Sequence, residues 1–185
     1  MLFSNGWLKL SFLAILSVFA GPMANAADFY AGKQMTLVVS SDVGNTYDLT
    51  GRIIARHLPR FIPGTPSIVV QNMPGAGGIR ATNWLYNVAP KDGLTLGLVN
   101  NTLAFNPLYG DKLAQFDAQK FNWLGTPNKD NSVFIVWHAV PVKTIEEARN
   151  RELVLAATGA GSTPAFWARV AASIFDLKVR IIPGY

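Results

Sequence analysis

The sequence predicts an α/β protein built on a mostly parallel sheet flanked by helices. Short apolar, β-branched runs recur at 35–39 (MTLVV), 67–72 (SIVVQN), 94–99 (LTLGLV) and 153–157 (LVLAA). Stretches with helical spacing lie between them, and the links are short and rich in glycine, proline and asparagine. Alternating strand and helix patterns of this kind give parallel strands joined by crossover helices. Ligands of such sheets bind at the carboxyl ends of the strands, so the loops that follow the strands are the places to look for function.

The 185-residue chain has no cysteine and a formal net charge of +5. Residues 1–26 read as a secretory signal: Lys9 gives a weak positive start, 10–20 (LSFLAILSVFA) is apolar, and Ala24-Asn25-Ala26 is a small-residue cleavage site. The apolar run is too short for a stable membrane span, and the mature chain is expected to begin at Ala27 in the periplasm. Lack of cysteine removes thiolate chemistry, cysteine-ligated metal and lipid anchoring through cysteine. Basic residues are scattered and do not interleave with aromatics, so no nucleic-acid partner is expected.

The stretch 35–59 organises the chain. Its apolar strand predicts burial on both faces. The polar loop 40–46 leads into a helix marked by Leu49/Ile53 and Ile54/Leu58 at i,i+4, and Pro59 closes it. A strand, a polar loop and a helix N-terminus together converge backbone N–H groups on a small anion. The second strand, 67–72, runs into the glycine loop 73–78, and Ala81, Trp84, Leu85 and Val88 mark the next helix face. A turn at 89–93 precedes the third strand, 94–99, with Asn100 and Asn101 at its end. Residues 105–119 read as loop with short helical turns. Two strand-like pieces follow, 122–126 and 132–137, where the chain is expected to cross into a second lobe. Thr144 and Glu147 form a capping box, and 153–157 is a strand. The glycine loop 158–164 leads into a helix carrying Phe166, Val170 and Ile174, and 178–182 is the last strand. A final strand so near Tyr185 leaves an open edge, so the second lobe is expected to be incomplete.

Candidate residues carry structural explanations as well. Asp48 sits in a first helical turn with Arg52 as its i+4 partner, which accounts for both without a ligand. Arg52, Arg56 and Arg60 read as a solvated stripe. The loop 74–78 lacks the G-x-G-x-x-G order of a dinucleotide site, and 159–163 lacks the lysine of a P-loop. The amides of that second loop, with the hydroxyls of Ser162 and Thr163, can nonetheless donate to a carboxylate. His57 and His138 have no acidic partner at triad or metal-ligand spacing. Trp84, Trp123, Trp137 and Trp167 read as packing residues.

Several stretches in this order resemble the Bug family, the periplasmic solute receptors of tripartite tricarboxylate transporters. They are 29–33 (FYAGK), Tyr47-Asp48-Leu49 with Arg52, 69–78 (VVQNMPGAGG), 89–93 (APKDG) and 158–162 (TGAGS). The resemblance spans 28–185, while family members are nearly twice as long. It implies a periplasmic-binding-protein-like two-lobe α/β fold: a signal peptide at 1–26, a largely present first lobe at 27–125 and an incomplete second lobe at 126–185. It also implies capture of a small carboxylate for integral-membrane permease subunits, with no cofactor, no metal and no chemistry on the ligand. The ligand-holding residues carried over are Asn45, Thr46, Tyr47 and Asp48 on one side and Thr158, Gly159, Gly161, Ser162 and Thr163 on the other, with Asn100 and Asn101 as the floor. One departure stands out: the family's first loop is usually richer in small residues and glycine, whereas here Asp42 brings a charge. Facing inward about 4 Å from a carboxylate, it would oppose it by roughly 4 kcal/mol at an effective dielectric near 20. A hydrolase using Ser162, and a sensor that presents its ligand to a signalling partner, are the alternatives.

Overall fold

The structure is a computed structural model that describes residues 29–129 and 131–184. The signal peptide expected at 1–26, with its cleavage after Ala26, lies outside the described residues. Strand β1 (Gln34–Val39) is the centre of a three-stranded parallel sheet in the order β2-β1-β3, flanked by β2 (Ser67–Asn72) and β3 (Thr95–Leu98). Met35, Leu37, Val38 and Val39 are all buried, as a strand covered on both faces requires. Val39 pairs with Asn72 on one side and with Leu98 on the other, so the loops that leave the three strands emerge at one edge. Helix α1 (Thr46–His57) joins β1 to β2, and α2 (Ile79–Asn87) joins β2 to β3. Ala81 and Leu85 of α2 pack on Val38 and Ala89, with Trp84 half-buried beside them. The segment after β3 is loop with 3-10 turns at Leu103–Tyr109 and Ala118–Lys120, as its weak periodicity predicts.

The face that α1 buries differs from the expected one. Leu49 and Ile53 are 57% and 61% exposed, whereas Asp48 and Gly51 are buried against the sheet. The reason is close approach. A Cβ on Gly51 would sit 2.7 Å from Val39 Cγ2, so the helix lies too near the strand for a larger inward residue. Pro59 does not end the chain's helical path at once, since residues Leu58–Phe61 add a 3-10 turn.

A second sheet contains β4 (Leu153–Ala157) and β5 (Val179–Pro183), parallel and in register from Leu153↔Val179. Helix α3 (Ile145–Asn150) precedes it, and α4 (Thr163–Phe175) connects its two strands. Thr144 caps α3 as expected: its Oγ1 accepts the Glu147 N–H at 3.2 Å, while the Glu147 carboxylate reaches one residue before the cap and accepts the Lys143 N–H at 2.6 Å. Helix α4 buries Ala165, Phe166, Ala168 and Ala171, while Ile174 of the expected face is 68% exposed. Alanine lets this helix lie close to its sheet; of its large side chains Phe166 is buried with the alanines, while Trp167, Ile174 and Phe175 turn outward.

The expected strands at 122–126 and 132–137 do not form. Both segments lie outside any ladder, and most of their large side chains are exposed. Their β-propensity is real, but a strand exists only where a neighbour accepts its backbone groups. The connection is pinned at its ends instead. Phe121 packs with Val99 in the first core, and Val136 and Val140 pack against Val142, Ala148 and Leu153.

Replacing Gly51 by valine should push α1 off β1 and lower the stability by about 1–3 kcal/mol through overpacking. Urea unfolding of Gly51→Val beside the parent measures this, and an unchanged midpoint would mean that α1 does not depend on that contact.

Candidate functional site

The loop after β1 is built by its own side chains. Asn45 caps α1: its Oδ1 accepts the Asp48 N–H at 3.0 Å, its carbonyl accepts the Leu49 N–H at 2.9 Å, and Ser41 Oγ donates to Oδ1 at 3.0 Å. Asp48 turns inward and is only 1% exposed. Its Oδ2 accepts from Gly44 N–H at 2.8 Å and Arg52 Nε at 3.0 Å, and its Oδ1 accepts from Asn72 Nδ2 at 3.0 Å. The Arg52 hydrogen bond, then the Gly44 amide and Asn72, hold this carboxyl down at about 2 from 3.8. Asp48 therefore ties the loop, the helix and the end of β2 together, and Asn72 adds a bond to the Ser41 carbonyl at 3.0 Å. The amides of Thr46 and Tyr47 precede the first intrahelical bond and point at whatever lies before the helix. Asp42, whose charge the sequence left in conflict with an anion, is exposed to solvent.

The floor lies at the end of β3. Asn100 Nδ2 donates to the Gly77 carbonyl at 2.6 Å and Asn100 Oδ1 accepts from Ser40 Oγ at 3.3 Å. Asn101 Oδ1 accepts from Thr163 Oγ1 at 3.1 Å, and the hydroxyls of Thr102 and Thr163 lie 3.3 Å apart. Thr163 is the first residue of α4, so the second sheet's loop is tied directly to the first sheet's strand end.

That second loop is tightly turned. Both the N–H and the hydroxyl of Ser162 donate to the Gly159 carbonyl, at 3.1 and 2.7 Å. Its backbone lies against the glycine loop of the first sheet. Gly77 has φ +67°, and a side chain there would collide with the backbone of Gly161 and Ser162. A Cβ on Gly159 would reach Gly77 N at 2.8 Å, and one on Gly161 would reach Ile79 Cδ1 at 2.6 Å. The two glycine loops thus meet backbone to backbone, a seam that only residues without side chains permit.

Of the residues singled out by sequence, the structure gathers Asn100, Asn101, Gly159, Gly161, Ser162 and Thr163 at this seam. Asn45, Thr46 and Tyr47 stand at the same sheet edge, linked to it through the adjacent Ser40–Asn100–Gly77 chain of hydrogen bonds. Thr158 is exposed just past β4. Asp48 is brought to the edge with its carboxylate already occupied from three directions. Ser40, Asn72, Gly77 and Thr102 also line this edge, and each had a signal in the sequence: Ser40 and Asn72 are polar residues at a strand end, and Gly77 and Thr102 lie in the loops that follow β2 and β3. An open groove of about 520 Å³ lined by Gly110, Asp111, Ala160, Phe166 and Arg169 includes none of the predicted residues. Ser162 is buried and spends its proton on a carbonyl, which cannot act as a general base. His57 sits in the last turn of α1 and His138 rests on the Trp137 ring at 4.5 Å.

Two parallel sheets with their strand ends joined across a polar seam define an α/β protein. Residues 52–171 match the tripartite tricarboxylate transporter family receptor, and the chain belongs to that family. A UPF0065 protein in the gbd 5′ region of Cupriavidus necator is 28% identical over 134 residues, 72% of this chain and 40% of that protein. Among solved structures, a periplasmic transporter superposes with a TM-score of 0.56 at 18% identity, covering 83% of this chain and 53% of the other. R. palustris Rpa4515, solved with adipate, superposes with a TM-score of 0.53 at 22% identity, over 82% of this chain and 52% of that one. The fold is the one expected from the sequence, and the chain spans about half the length of these solved proteins and two-fifths of the curated relative.

Because the Asp48 carboxyl is held near 2 against 3.8 in the open chain, its charged form adds stability above pH 3.8 that is lost as the pH falls toward 2. Asp48→Asn should therefore be less stable than the parent at pH 7, and the gap should close between pH 4 and 2. Denaturant midpoints across that range measure it, and a gap independent of pH would show that the charge is not what holds the loop.

Proposed function

We propose that this chain is the ligand-gripping part of a periplasmic receptor for a small carboxylate, which it hands to a membrane permease without chemical change. The observation that carries this reading is the pairing of two helix N-termini at one strand edge. The amides of Thr46 and Tyr47 open α1, and those of the 158–163 loop open α4, with Asn100 and Asn101 between them. Helix N-termini favour anions, and short hydroxyl and amide groups supply directional donors. Family membership supports the receptor role, and the adipate in Rpa4515 supports a carboxylate as ligand. Asp48 is assigned to shaping the first loop and Ser162 to turning the second, while the contacts fall to Asn45, Thr46, Tyr47, Thr158, Gly159 and Thr163. The division into a first lobe at 27–125 and a second from 126, and a secretory leader at 1–26, complete the reading. It is a binding protein and not an enzyme.

A clamp acquires affinity by burying the ligand between two ordered surfaces, and here the second sheet has two strands among the described residues. Binding by this chain alone should therefore be weak, with Kd about 1 mM or weaker, near −4 kcal/mol. Titrating ¹⁵N-labelled protein with adipate should shift the amide signals of Thr46, Tyr47, Thr158, Gly159 and Thr163 together. If those signals stay fixed while others move, the site is elsewhere. Micromolar affinity would refute the weak clamp.

A further inference from the structure

We infer that Asn45 and Asn101 set the sign of charge that the proposed site accepts: each is pinned through its amide oxygen, so each offers a ligand only the hydrogens of Nδ2. The inference rests on the carboxylate reading and adds to it the side chains that refuse a cation.

A carboxamide accepts at its oxygen and donates at its nitrogen. An asparagine beside a ligand therefore suits either sign of charge until its neighbours decide which end faces out. At Asn45 helix α1 decides. Its Oδ1 accepts the Asp48 N–H and the Ser41 hydroxyl, both at 3.0 Å. A backbone N–H only donates, so the oxygen must lie on that side and Nδ2 on the other. Asn45 is exposed, and its Nδ2 has no protein partner among the described residues.

At Asn101 the decision is made across the two sheets. Thr102 is 2% exposed, and its hydroxyl bonds Thr163 Oγ1 at 3.3 Å and no other group among the described residues. A buried hydroxyl needs an acceptor for its proton, so Thr102 donates and Thr163 accepts. The Thr163 proton is then free for Asn101 Oδ1, 3.1 Å away. The opposite sense would leave the Thr102 proton buried without an acceptor, which is costly. Direction thus runs from Thr102 through Thr163 to the Asn101 oxygen. Asn101 is exposed as well, and its Nδ2 has no protein partner among the described residues.

Two neighbouring asparagines give the contrast. Asn100 donates to the Gly77 carbonyl and accepts from the Ser40 hydroxyl, and Asn72 donates to the Ser41 carbonyl and to Asp48. Those amides are used by the fold. A carboxylate only accepts hydrogen bonds, and an ammonium only donates them. Side chains that present N–H groups pair with the first and leave the second facing donors, and such mismatches are what discriminate between ligands.

The test titrates the ¹⁵N-labelled chain with adipate and with aminocaproate, in which an ammonium stands in place of one carboxylate. The parent should prefer adipate, and the side-chain NH₂ signals of Asn45 and Asn101 should shift together with the backbone amides of Thr46 and Gly159. Asn45→Asp and Asn101→Asp each keep the pinned oxygen and exchange the donor for a second oxygen. Each should lower the preference for adipate over aminocaproate at least about tenfold, with the circular dichroism of the free chain unchanged. Thr163→Val alters no charge but releases the Asn101 oxygen, and it should weaken adipate about threefold, with Thr163→Ser restoring the parent's affinity. Either aspartate variant keeping the parent's preference, or Thr163→Val binding adipate as the parent does, would overturn this inference and leave the carboxylate reading standing. Adipate that moves none of the backbone amides at the two helix N-termini would overturn the carboxylate reading, and this inference with it.

Discussion

The seam between the glycine loops governs the geometry of everything around it. At Gly77 the backbone of one sheet's loop touches that of the other so closely that a single methyl group would part them. Backbone contact fixes position more tightly than side-chain contact, because peptide groups have no rotamers with which to compensate. Thr163 can reach Asn101 because the seam sets the two sheets' strand ends at hydrogen-bond distance, and Asn100 steadies the first sheet's side of it through the Gly77 carbonyl. The polar groups at the edge are accordingly short ones. Asparagine, serine and threonine lose little rotamer freedom when they are ordered, so the edge can be held in shape before anything binds.

The aspartate beneath that edge is answered by donors of its own loop, helix and neighbouring strand. The Asp48 charge is answered inside the loop by Arg52, the Gly44 amide and Asn72, so it projects little field outward. It also favours the α1 dipole from within the first turn. Asp42, one turn of loop earlier, is kept in solvent, where water screens it. Of the two carboxylates in this stretch, Asp48 is thus paired within the fold and Asp42 is exposed to solvent.

Much of this was legible in the sequence, and what was not has identifiable causes. β2 and β4 lie where the apolar runs place them, β1 begins one residue early, and the Thr144–Glu147 cap forms, because these depend on local chemistry. The helix faces were misread at Leu49, Ile53 and Ile174. Apolar periodicity shows that a face exists, but Gly51 and the alanines of α4 decide which face comes near enough to a sheet to be buried. The reading of 122–126 and 132–137 as strands was correct about propensity and wrong about structure, since pairing depends on a neighbour that no local pattern reveals. In the site, single residue types were visible but their partners were not. Nothing in the spacing of Asp48 and Asn72 announces that they meet, because the parallel register of β1 and β2 brings them together.

The second loop takes its position from the first sheet as much as from its own. Its sheet has two strands among the described residues, which is marginal by itself, yet Thr163 is tied to Asn101 and Thr102 and the glycine backbone is packed on Gly77. The two loops are therefore held together by contacts that require no ligand. On the proposed reading, a ligand at this seam would not have to draw two surfaces together, and its binding energy would not be spent on closure. It must instead compete with water for amides already in place. On that reading selectivity would follow from the match between a ligand's oxygens and the spacing of the two helix N-termini, a spacing set by the close approach of Gly77 to the 159–162 backbone.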